Sequence, residues 1–255
     1  MIQAARLQEI RTRLGRNGSV SVSDLAKRFR KNPITVRRDL LILEKEGFLK
    51  RTHGGAIALA GVEPAPYEER VKQSAVEKSS IAKKAAQYVS DGESIIINAG
   101  TTMHAFAMHL RHRRDLQVVT NGITLVAELA HCPAAHVLLI GGETDFKKLG
   151  TVGPLAEEMI REIHVSKAFL GVSGISLDHG LLMHSPAEAR INACFARAAD
   201  EVTVVVDSSK FEANFIYRVA HLGDIHRLIT DGKIKADARR CLAQARVELV
   251  IAEDF

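Results

Sequence analysis

Apolar residues recur at helical spacing in the first part of the chain. The pattern predicts three helices, over 2–16, 24–29 and 33–46. Ser23 and Asn32 stand at the positions of helix N-caps, and a proline follows Asn32 at the first helical position. The apolar positions that carry this spacing are Ile2, Leu7, Ile10, Leu14, Leu25, Ala26, Phe29, Ile34, Leu40, Leu41 and Leu43. Three short helices of this kind form a small domain with its own core.

Two extended runs, 48–51 and 56–59, follow the third helix and are joined by Thr52-His53-Gly54-Gly55. Short extended runs around Gly-Gly predict a β-hairpin. A tight basic turn, 30–32, joins the second helix to the third, so the whole arrangement predicts a winged helix-turn-helix. In such a domain the start of the third helix reaches base edges, and the wing approaches phosphates. The residues predicted to contact DNA on this reasoning are Thr35, Arg37, Arg38, Arg51, His53 and Gly54.

Downstream of residue 75, apolar runs of strand length alternate with helical segments. The predicted strands are 94–98, 116–120, 135–140, 167–171, 201–206, 227–229 and 248–251, and the predicted helices are 75–89, 102–112, 123–131, 153–162, 187–199 and 235–245. Apolar strands separated by helices predict an α/β domain with a mostly parallel, doubly wound sheet. Gly61, Pro64 and Pro66 mark a linker over 59–75, which gives a DNA-binding domain at 1–58 and a second domain at 76–255.

Polar and glycine-rich residues cluster after the predicted strands of the second domain. Ligands of such sheets bind beyond the carboxyl ends of the strands. The turn Gly100-Thr101-Thr102 opens a helix, so its amides and hydroxyls can hold a phosphate. Lys210 supplies positive charge, and Glu188 can accept hydrogen bonds from sugar hydroxyls. The other residues of this predicted effector site are Asn121, Gly141, Gly142 and Ser173.

Charge is distributed unevenly between the two parts of the chain. Of the 255 residues, 25% are charged and the net charge is +5. Residues 1–58 hold thirteen Lys/Arg and five Asp/Glu, a net charge of +8, whereas the remainder has a net charge of −3. This imbalance indicates a polyanionic partner for the first domain. Three cysteines without a CxxC motif, and no apolar run of membrane-spanning length, favour a cytoplasmic protein without disulfides, metal or membrane contact.

The run DLAKRF…TVRRDLLILEKEGFLKRTHGGA, within residues 6–58, resembles the winged helix-turn-helix of DeoR-type bacterial transcription regulators. Family members often have Val-Ser before the third helix, where this chain has Lys31-Asn32. Lys31 is expected to add a phosphate contact, and both residues join the predicted DNA interface. In the second domain, the GTT turn, Thr120-Asn121, Gly141-Gly142, Glu188 and DSSKF at 207–211 occur in family order.

The resemblance implies that the second domain is similar to ribose-phosphate isomerase and senses a phosphorylated sugar. Two differences from the family pattern make the predicted pocket less acidic than is usual in the family. Asn98 stands where the family commonly has aspartate, and Arg190 and Asn192 stand where it often has a carboxylate and a lysine. These differences affect which effector is expected.

Three kinds of function could use these residues. An isomerase requires an acidic stretch and a lysine that the segments 171–176 and 179–182 lack, so the sequence favours a sensor over an enzyme. A metal-dependent regulator would use His104, His109 and His112, but no nearby carboxylate or thiol joins them. The sequence therefore predicts a DNA-binding regulator, a repressor of a carbohydrate operon, that binds operator DNA as a homo-oligomer, responds to a phosphorylated sugar and needs no cofactor.

Overall fold

The computed structural model describes residues 2–46, 48–58, 66–212 and 215–253. Its helices are α1 (Gln3–Asn17), α2 (Val22–Phe29), α3 (Pro33–Lys45), α4 (Tyr67–Lys72), α5 (Ala75–Ala86), α6 (Thr101–His109), α7 (Ile123–Leu129), α8 (Pro154–Arg161), α9 (Pro186–Arg197) and α10 (Ala236–Gln244). Two short 3-10 helices cover Ser208–Glu212 and Leu222–Asp224.

The strands follow the same order along the chain. They are β1 (Ser19–Ser21), β2 (Leu49–Arg51), β3 (Gly55–Ala58), β4 (Ser94–Ile97), β5 (Gln117–Thr120), β6 (His136–Leu139), β7 (Glu143–Asp145), β8 (Gly150–Val152), β9 (Val165–Leu170), β10 (Gly174–Ser176), β11 (Gly180–Met183), β12 (Ala199–Val205), β13 (Tyr217–Ala220), β14 (Arg227–Asp231) and β15 (Glu248–Ala252). The predicted helix stop at Gly47 and residues 59–65 of the predicted linker lie outside the described residues.

The N-terminal domain is a three-helix unit with a wing. Strands β1, β3 and β2 form an antiparallel sheet in that order. A Cβ atom at Gly55 would lie 1.9 Å from the Val20 carbonyl oxygen, so the wing strand can pack this closely on β1 only with glycine there. One apolar core joins the helices to the wing, and its largest fully buried side chains are Ile10, Leu14, Leu25, Leu40, Leu43 and Leu49. The winged helix-turn-helix predicted from sequence is present.

Two local predictions in this domain were wrong. Ser21, not Ser23, caps α2, because its Oγ accepts a hydrogen bond from the Asp24 amide and the helix already starts at Val22. Ile34 and Leu41 are 57% and 37% exposed rather than buried, because the inward face of α3 is formed by Val36, Leu40 and Leu43. The cap at the start of α3 is as predicted.

The C-terminal domain contains a seven-stranded sheet in the order β15-β14-β12-β9-β4-β5-β6. Every neighbouring pair in this sheet is parallel. Helices cover both faces, and each face carries its own apolar core, one around Phe195 and Ile96 and the other around Phe106 and Phe169. The predicted parallel, doubly wound α/β sheet is therefore confirmed.

Several elements were not predicted. Strands β7 and β8 form a two-stranded antiparallel hairpin, and β10, β11 and β13 form a separate antiparallel sheet. These strands have three or four residues each, too few to show a period in the sequence. Helix α4 occupies part of the segment predicted as linker, and the Tyr67 hydroxyl lies 3.1 Å from the Thr124 hydroxyl of α7. That part of the chain therefore packs on the C-terminal domain.

The described chain can also be examined for disulfide bonds and membrane-spanning helices. All three cysteines are free thiols, and Cys132 and Cys194 are buried. Among the helices of the described residues, none is long and apolar enough to span a lipid bilayer.

Candidate functional sites

The first candidate site is the exposed side of α3. The Asn32 side chain accepts a hydrogen bond from the Ile34 amide at 2.9 Å and caps the helix. Lys31, Arg37 and Arg38 are exposed, and Thr35 is half-buried. The N-terminal turns of α3 therefore present cationic side chains and one hydroxyl to solvent, which suits phosphate and base-edge contacts.

Ile34 was not predicted for this surface. Its exposed position beside Thr35 places an apolar side chain among the polar ones at the start of α3. An apolar side chain at this point can contact the methyl group of thymine in a major groove. Helical phase in the sequence could have shown this, because Ile34 is out of step with Val36, Leu40 and Leu43.

A buried ion pair fixes α3 against α1. Arg6 Nε lies 2.7 Å from Asp39 Oδ2, and a second bond of 3.1 Å joins Arg6 Nη2 to Asp39 Oδ1. Both side chains are buried, and the hydrogen bond with Asp39 raises the pKa of Arg6. The bidentate geometry orients the recognition helix within the domain.

The wing is held to α3 by a second pair. Arg51 donates to Glu44 through its amide, at 2.8 Å, and through Nε, at 2.6 Å. These bonds lower the pKa of the Glu44 carboxyl. The guanidinium of Arg51, which was predicted to contact DNA, is therefore bonded to Glu44. His53 and Gly54 are exposed at the tip of the wing.

The second candidate site is an open cleft at the carboxyl ends of β4, β9 and β12. Five of the predicted effector residues line it: Gly100, Thr101, Thr102, Ser173 and Lys210. The first intrahelical bond of α6 runs from the His104 amide to the Gly100 carbonyl, and α6 has no side-chain cap. The amides of the first turn are therefore available to an anion in the cleft.

Three cationic residues in this cleft were missed from the sequence. Arg70 of α4, Lys78 of α5 and Lys148 of the β7–β8 hairpin line it together with Lys210. Arg70 Nη2 donates to the Lys147 carbonyl at 2.6 Å, and Lys78 Nζ donates to the Arg70 carbonyl. Burial lowers the pKa of Arg70, an effect that the carboxylates of Glu188 and Asp145 oppose. Four cations from four separate segments converge on the cleft, which only the folded chain reveals.

Glu188 lies in a smaller recess that adjoins the cleft through Lys148. Lys148 Nζ lies 3.4 Å from Glu188 Oε1 and 3.4 Å from the Ser173 hydroxyl. The other carboxylate oxygen, Oε2, is buried and has no hydrogen-bond partner among the described residues. A buried carboxylate oxygen without a donor is costly, so this atom is a ready acceptor for a donor on a ligand.

Asn98 and Asn192, which differ from the residues common in the family, are hydrogen-bonded to each other in the structure. Asn98 Nδ2 donates to Asn192 Oδ1, and Asn98 also exchanges two bonds of 2.8 Å with the Gly171 backbone. Asn192 Nδ2 in turn donates to the Glu188 carbonyl at 2.7 Å. Both amides are buried, so a neutral group at one position complements a neutral group at the other.

The structure does not bring Asn121, Gly141 and Gly142 into the cleft. Asn121 accepts from the Ala99 amide and donates to the Thr151 carbonyl, both at 2.8 Å, so its side chain is used to hold the backbone. A Cβ at Gly142 would lie 2.6 Å from the Val152 carbonyl oxygen. Gly141 and Gly142 therefore line neither the cleft nor the recess, whereas Asn121 lines the recess that holds Glu188.

The histidines considered for a metal site do not form one among the described residues. No group of three His, Cys, Asp or Glu with suitable geometry occurs in that part of the chain. Helix α6 ends at His109, so His112 lies beyond it, and His104 Nε2 lies 3.8 Å from the Glu128 carboxylate.

A winged helix-turn-helix joined to a doubly wound domain with a cationic cleft defines a class, the ligand-responsive transcriptional regulators. The DeoR-like helix-turn-helix domain family matches residues 6–61, and the DeoR C terminal sensor domain family matches residues 73–232. The chain therefore belongs to the DeoR family.

Named relatives agree with this assignment. The chain is 33% identical to the HTH-type transcriptional regulator YulB of Bacillus subtilis, across 98% of this chain and 96% of the relative. It is 31% identical to the transcriptional repressor AccR of Agrobacterium fabrum (91% of each chain) and 28% identical to the glycerol-3-phosphate regulon repressor of Escherichia coli K12 (98% and 99%). All three are named as regulators rather than enzymes, in agreement with the regulator predicted from the sequence of this chain.

Among solved structures, ribose 5-phosphate isomerase A of Methanocaldococcus jannaschii matches with a TM-score of 0.38 and 19% identity. The match covers 52% of this chain and 53% of that chain.

Proposed function

We propose that this protein is a transcriptional repressor that binds operator DNA through its winged helix-turn-helix and is released by a phosphorylated sugar bound in the cleft. The relatives AccR and the glycerol-3-phosphate regulon repressor are named as repressors, which supports the sign of the regulation. The proposed DNA interface comprises Lys31, Asn32, Thr35, Arg37, Arg38, Arg51, His53 and Gly54, with Ile34 added.

The observation that carries the effector proposal is the composition of the cleft. Lys78, Lys210 and Arg70 line the same cleft as the first turn of α6, which has no side-chain cap. Backbone amides with several cations form a site for a phosphate. The unpartnered Glu188 Oε2 in the adjoining recess accepts hydroxyl or amine donors, which a sugar provides.

The release mechanism is thermodynamic linkage. A ligand weakens operator binding only if it binds the DNA-free conformation more tightly than the DNA-bound one. Arg70 and Lys78 come from the segment that directly follows residues 59–65, the connection to the DNA-binding domain. A phosphate bound by Arg70 and Lys78 would therefore contact the residues of the cleft that are nearest in sequence to the connection, 59–65.

The test measures effector binding and operator release in one protein. A panel of triose, pentose, hexose and hexosamine phosphates, each paired with its unphosphorylated sugar, is screened by thermal shift. A true effector at about 100 times its Kd adds about 2.7 kcal/mol of stability. The same compound should release DNA taken from upstream of the genes that flank this one. Stabilisation by no phosphorylated sugar would contradict the proposal.

Lys210→Ala provides the matched variant. The substitution should weaken effector binding by about 1.5–3 kcal/mol, the range for hydrogen bonds to charged groups, and leave operator binding without effector near the wild-type value. Lys72→Ala is the control, because Lys72 is exposed on α4 and does not line the cleft. Equal effects of both substitutions on effector affinity would reject the role of Lys210.

A further inference from the structure

The segment Ile123–Gly142 forms one outer edge of the C-terminal domain and is almost uncharged. It contains helix α7 and strand β6, and Glu128 is its one Asp, Glu, Lys or Arg residue. Glu128 is turned toward Arg111 and His104, so its charge is used within the domain. A chain with 25% charged residues has, on average, five in a segment of this length. Outer helices and edge strands normally carry charges.

Most exposed side chains of this segment are apolar, and the polar exceptions are His131 and His136. Ile123, Ala127 and Ala130 follow one face of α7 and are exposed to solvent. On β6, Leu138 is 39% and Leu139 is 40% exposed. Successive residues of a strand point to opposite faces, so both faces of the sheet edge present leucine. We call this surface, formed by Ile123, Ala127, Ala130, Leu138 and Leu139, the α7–β6 edge.

The backbone of β6 is also open on its outer side. The amides of His136 and Ile140 donate to β5 and the residue before it, at 2.8 Å each. By the alternation of a strand, the N–H and C=O groups of Val137 and Leu139 point away from the sheet. Strand β6 is the last strand of the seven, so no described strand pairs with these groups. An uncharged apolar edge of this kind is a site for strand addition.

We propose that the α7–β6 edge is the interface with a second copy of this chain, formed by antiparallel pairing of β6 with its symmetry mate. A two-fold axis at Leu138 pairs Val137 of one copy with Leu139 of the other and satisfies their outward backbone groups. The small residues Ala127 and Ala130 allow the two α7 helices to approach. The absence of charge on this edge favours a copy of itself, because self-pairing brings no like charges together.

The other edge of the sheet offers a contrast. Strand β15 begins at Glu248, which is bonded to Arg227, and is followed by Glu253; both glutamates are exposed. Self-pairing there would bury this ion pair and the Glu253 carboxylate between two copies, which is unfavourable. A symmetric dimer also suits a winged helix-turn-helix, because two copies read two half-sites of an operator.

The test uses the full chain and measures its mass by light scattering during size-exclusion chromatography. The wild type should elute as a dimer or a larger even assembly, and Leu139→Lys should halve that mass. Ile216→Lys is the control, since Ile216 is 71% exposed elsewhere on the domain and lies outside the edge. A monomeric wild type, or an unchanged mass for Leu139→Lys, would overturn the proposal.

A second variant tests the register and does not depend on the folding of the lysine variant. In the proposed register, the two Leu138 residues form a non-hydrogen-bonded pair with Cα atoms about 4.5 Å apart, within the span of a disulfide. Leu138→Cys should therefore form a covalent dimer on oxidation, and Ile216→Cys should not. Dissociation by Leu139→Lys without this cross-link would support the interface and reject the register. Failure of both would reject the interface.

Discussion

At the scale of single residues, the charged run Arg37-Arg38-Asp39 shows that adjacent side chains of one helix differ in burial. Arg37 and Arg38 are exposed, whereas Asp39 is fully buried and bonded to Arg6. The run therefore combines two side chains that face solvent with one that locks α3 to α1. The sequence alone does not make this distinction, because it depends on which face of α3 meets α1.

Asp39→Ala should lower the free energy of unfolding by about 3–5 kcal/mol, because it leaves the buried Arg6 without its partner. Glu46→Ala is the matched control. It removes the partner of Arg11 in a pair that is about one-third exposed, and should cost no more than about 1 kcal/mol. Urea unfolding followed by circular dichroism measures both. Equal losses would show that the Arg6–Asp39 pair contributes no more than a surface pair.

Arg37→Ala should weaken binding to the specific operator by about 1–3 kcal/mol if its guanidinium reads a base. Arg38→Ala should instead weaken specific and random DNA alike and reduce the salt dependence, as the loss of a phosphate contact does. Fluorescence anisotropy at several salt concentrations separates the two effects. A flat salt response of the wild type would argue against DNA as the partner.

At the scale of elements, the largest difference from the prediction is helix α4, which lies in the segment 59–75 that was predicted to be a linker. The sequence 59–75 has the prolines and glycine of a linker, but Tyr67 and Arg70 attach α4 to α7 and to the β7–β8 hairpin. The six-residue helix has no buried residues, so its position depends on these polar contacts rather than on a core. That explains why the apolar pattern did not reveal it.

Arg70→Gln should weaken effector binding by about 1.5–3 kcal/mol, since it removes a charged hydrogen-bond donor from the cleft. Operator binding without effector should stay close to wild type. Lys72→Gln, two residues away on the same helix, should change neither property. Isothermal titration with the identified sugar phosphate makes the comparison. Unchanged affinity in Arg70→Gln would leave α4 with a structural role alone.

At the scale of the whole molecule, the two domains have separate cores, because the apolar cluster of residues 10–56 shares no member with the clusters after residue 80. A fragment of 66–255 should therefore fold alone and bind the effector, because it keeps the cationic residues of the cleft and loses only the lining by Gly15 of α1. The fragment 76–255, which begins at the predicted domain boundary, should fold but bind more weakly, because it lacks Arg70. Thermal unfolding and titration of both fragments test this. Aggregation of 66–255 would indicate a shared core.

Local patterns in the sequence are sufficient to predict the architecture of both domains. The caps and apolar spacing around Asn32-Pro33, the glycine wing, and apolar strands alternating with helices are local patterns, and local patterns depend on neighbours along the chain. They predicted the winged helix-turn-helix and the parallel sheet. The turn Gly100-Thr101-Thr102 was likewise predictable, since ligand sites of parallel sheets follow strand ends.

The tertiary structure alone decided what surrounds that turn. Arg70, Lys78 and Lys148 are each ordinary basic residues in sequence, and they become one site only when α4, α5 and the β7–β8 hairpin meet at the sheet edge. Asn121, in contrast, follows a strand end like the other predicted ligand residues, but in the fold both ends of its amide have backbone partners. Long-range packing determines which polar groups are used by the chain and which are left for a ligand, and no local pattern contains that information.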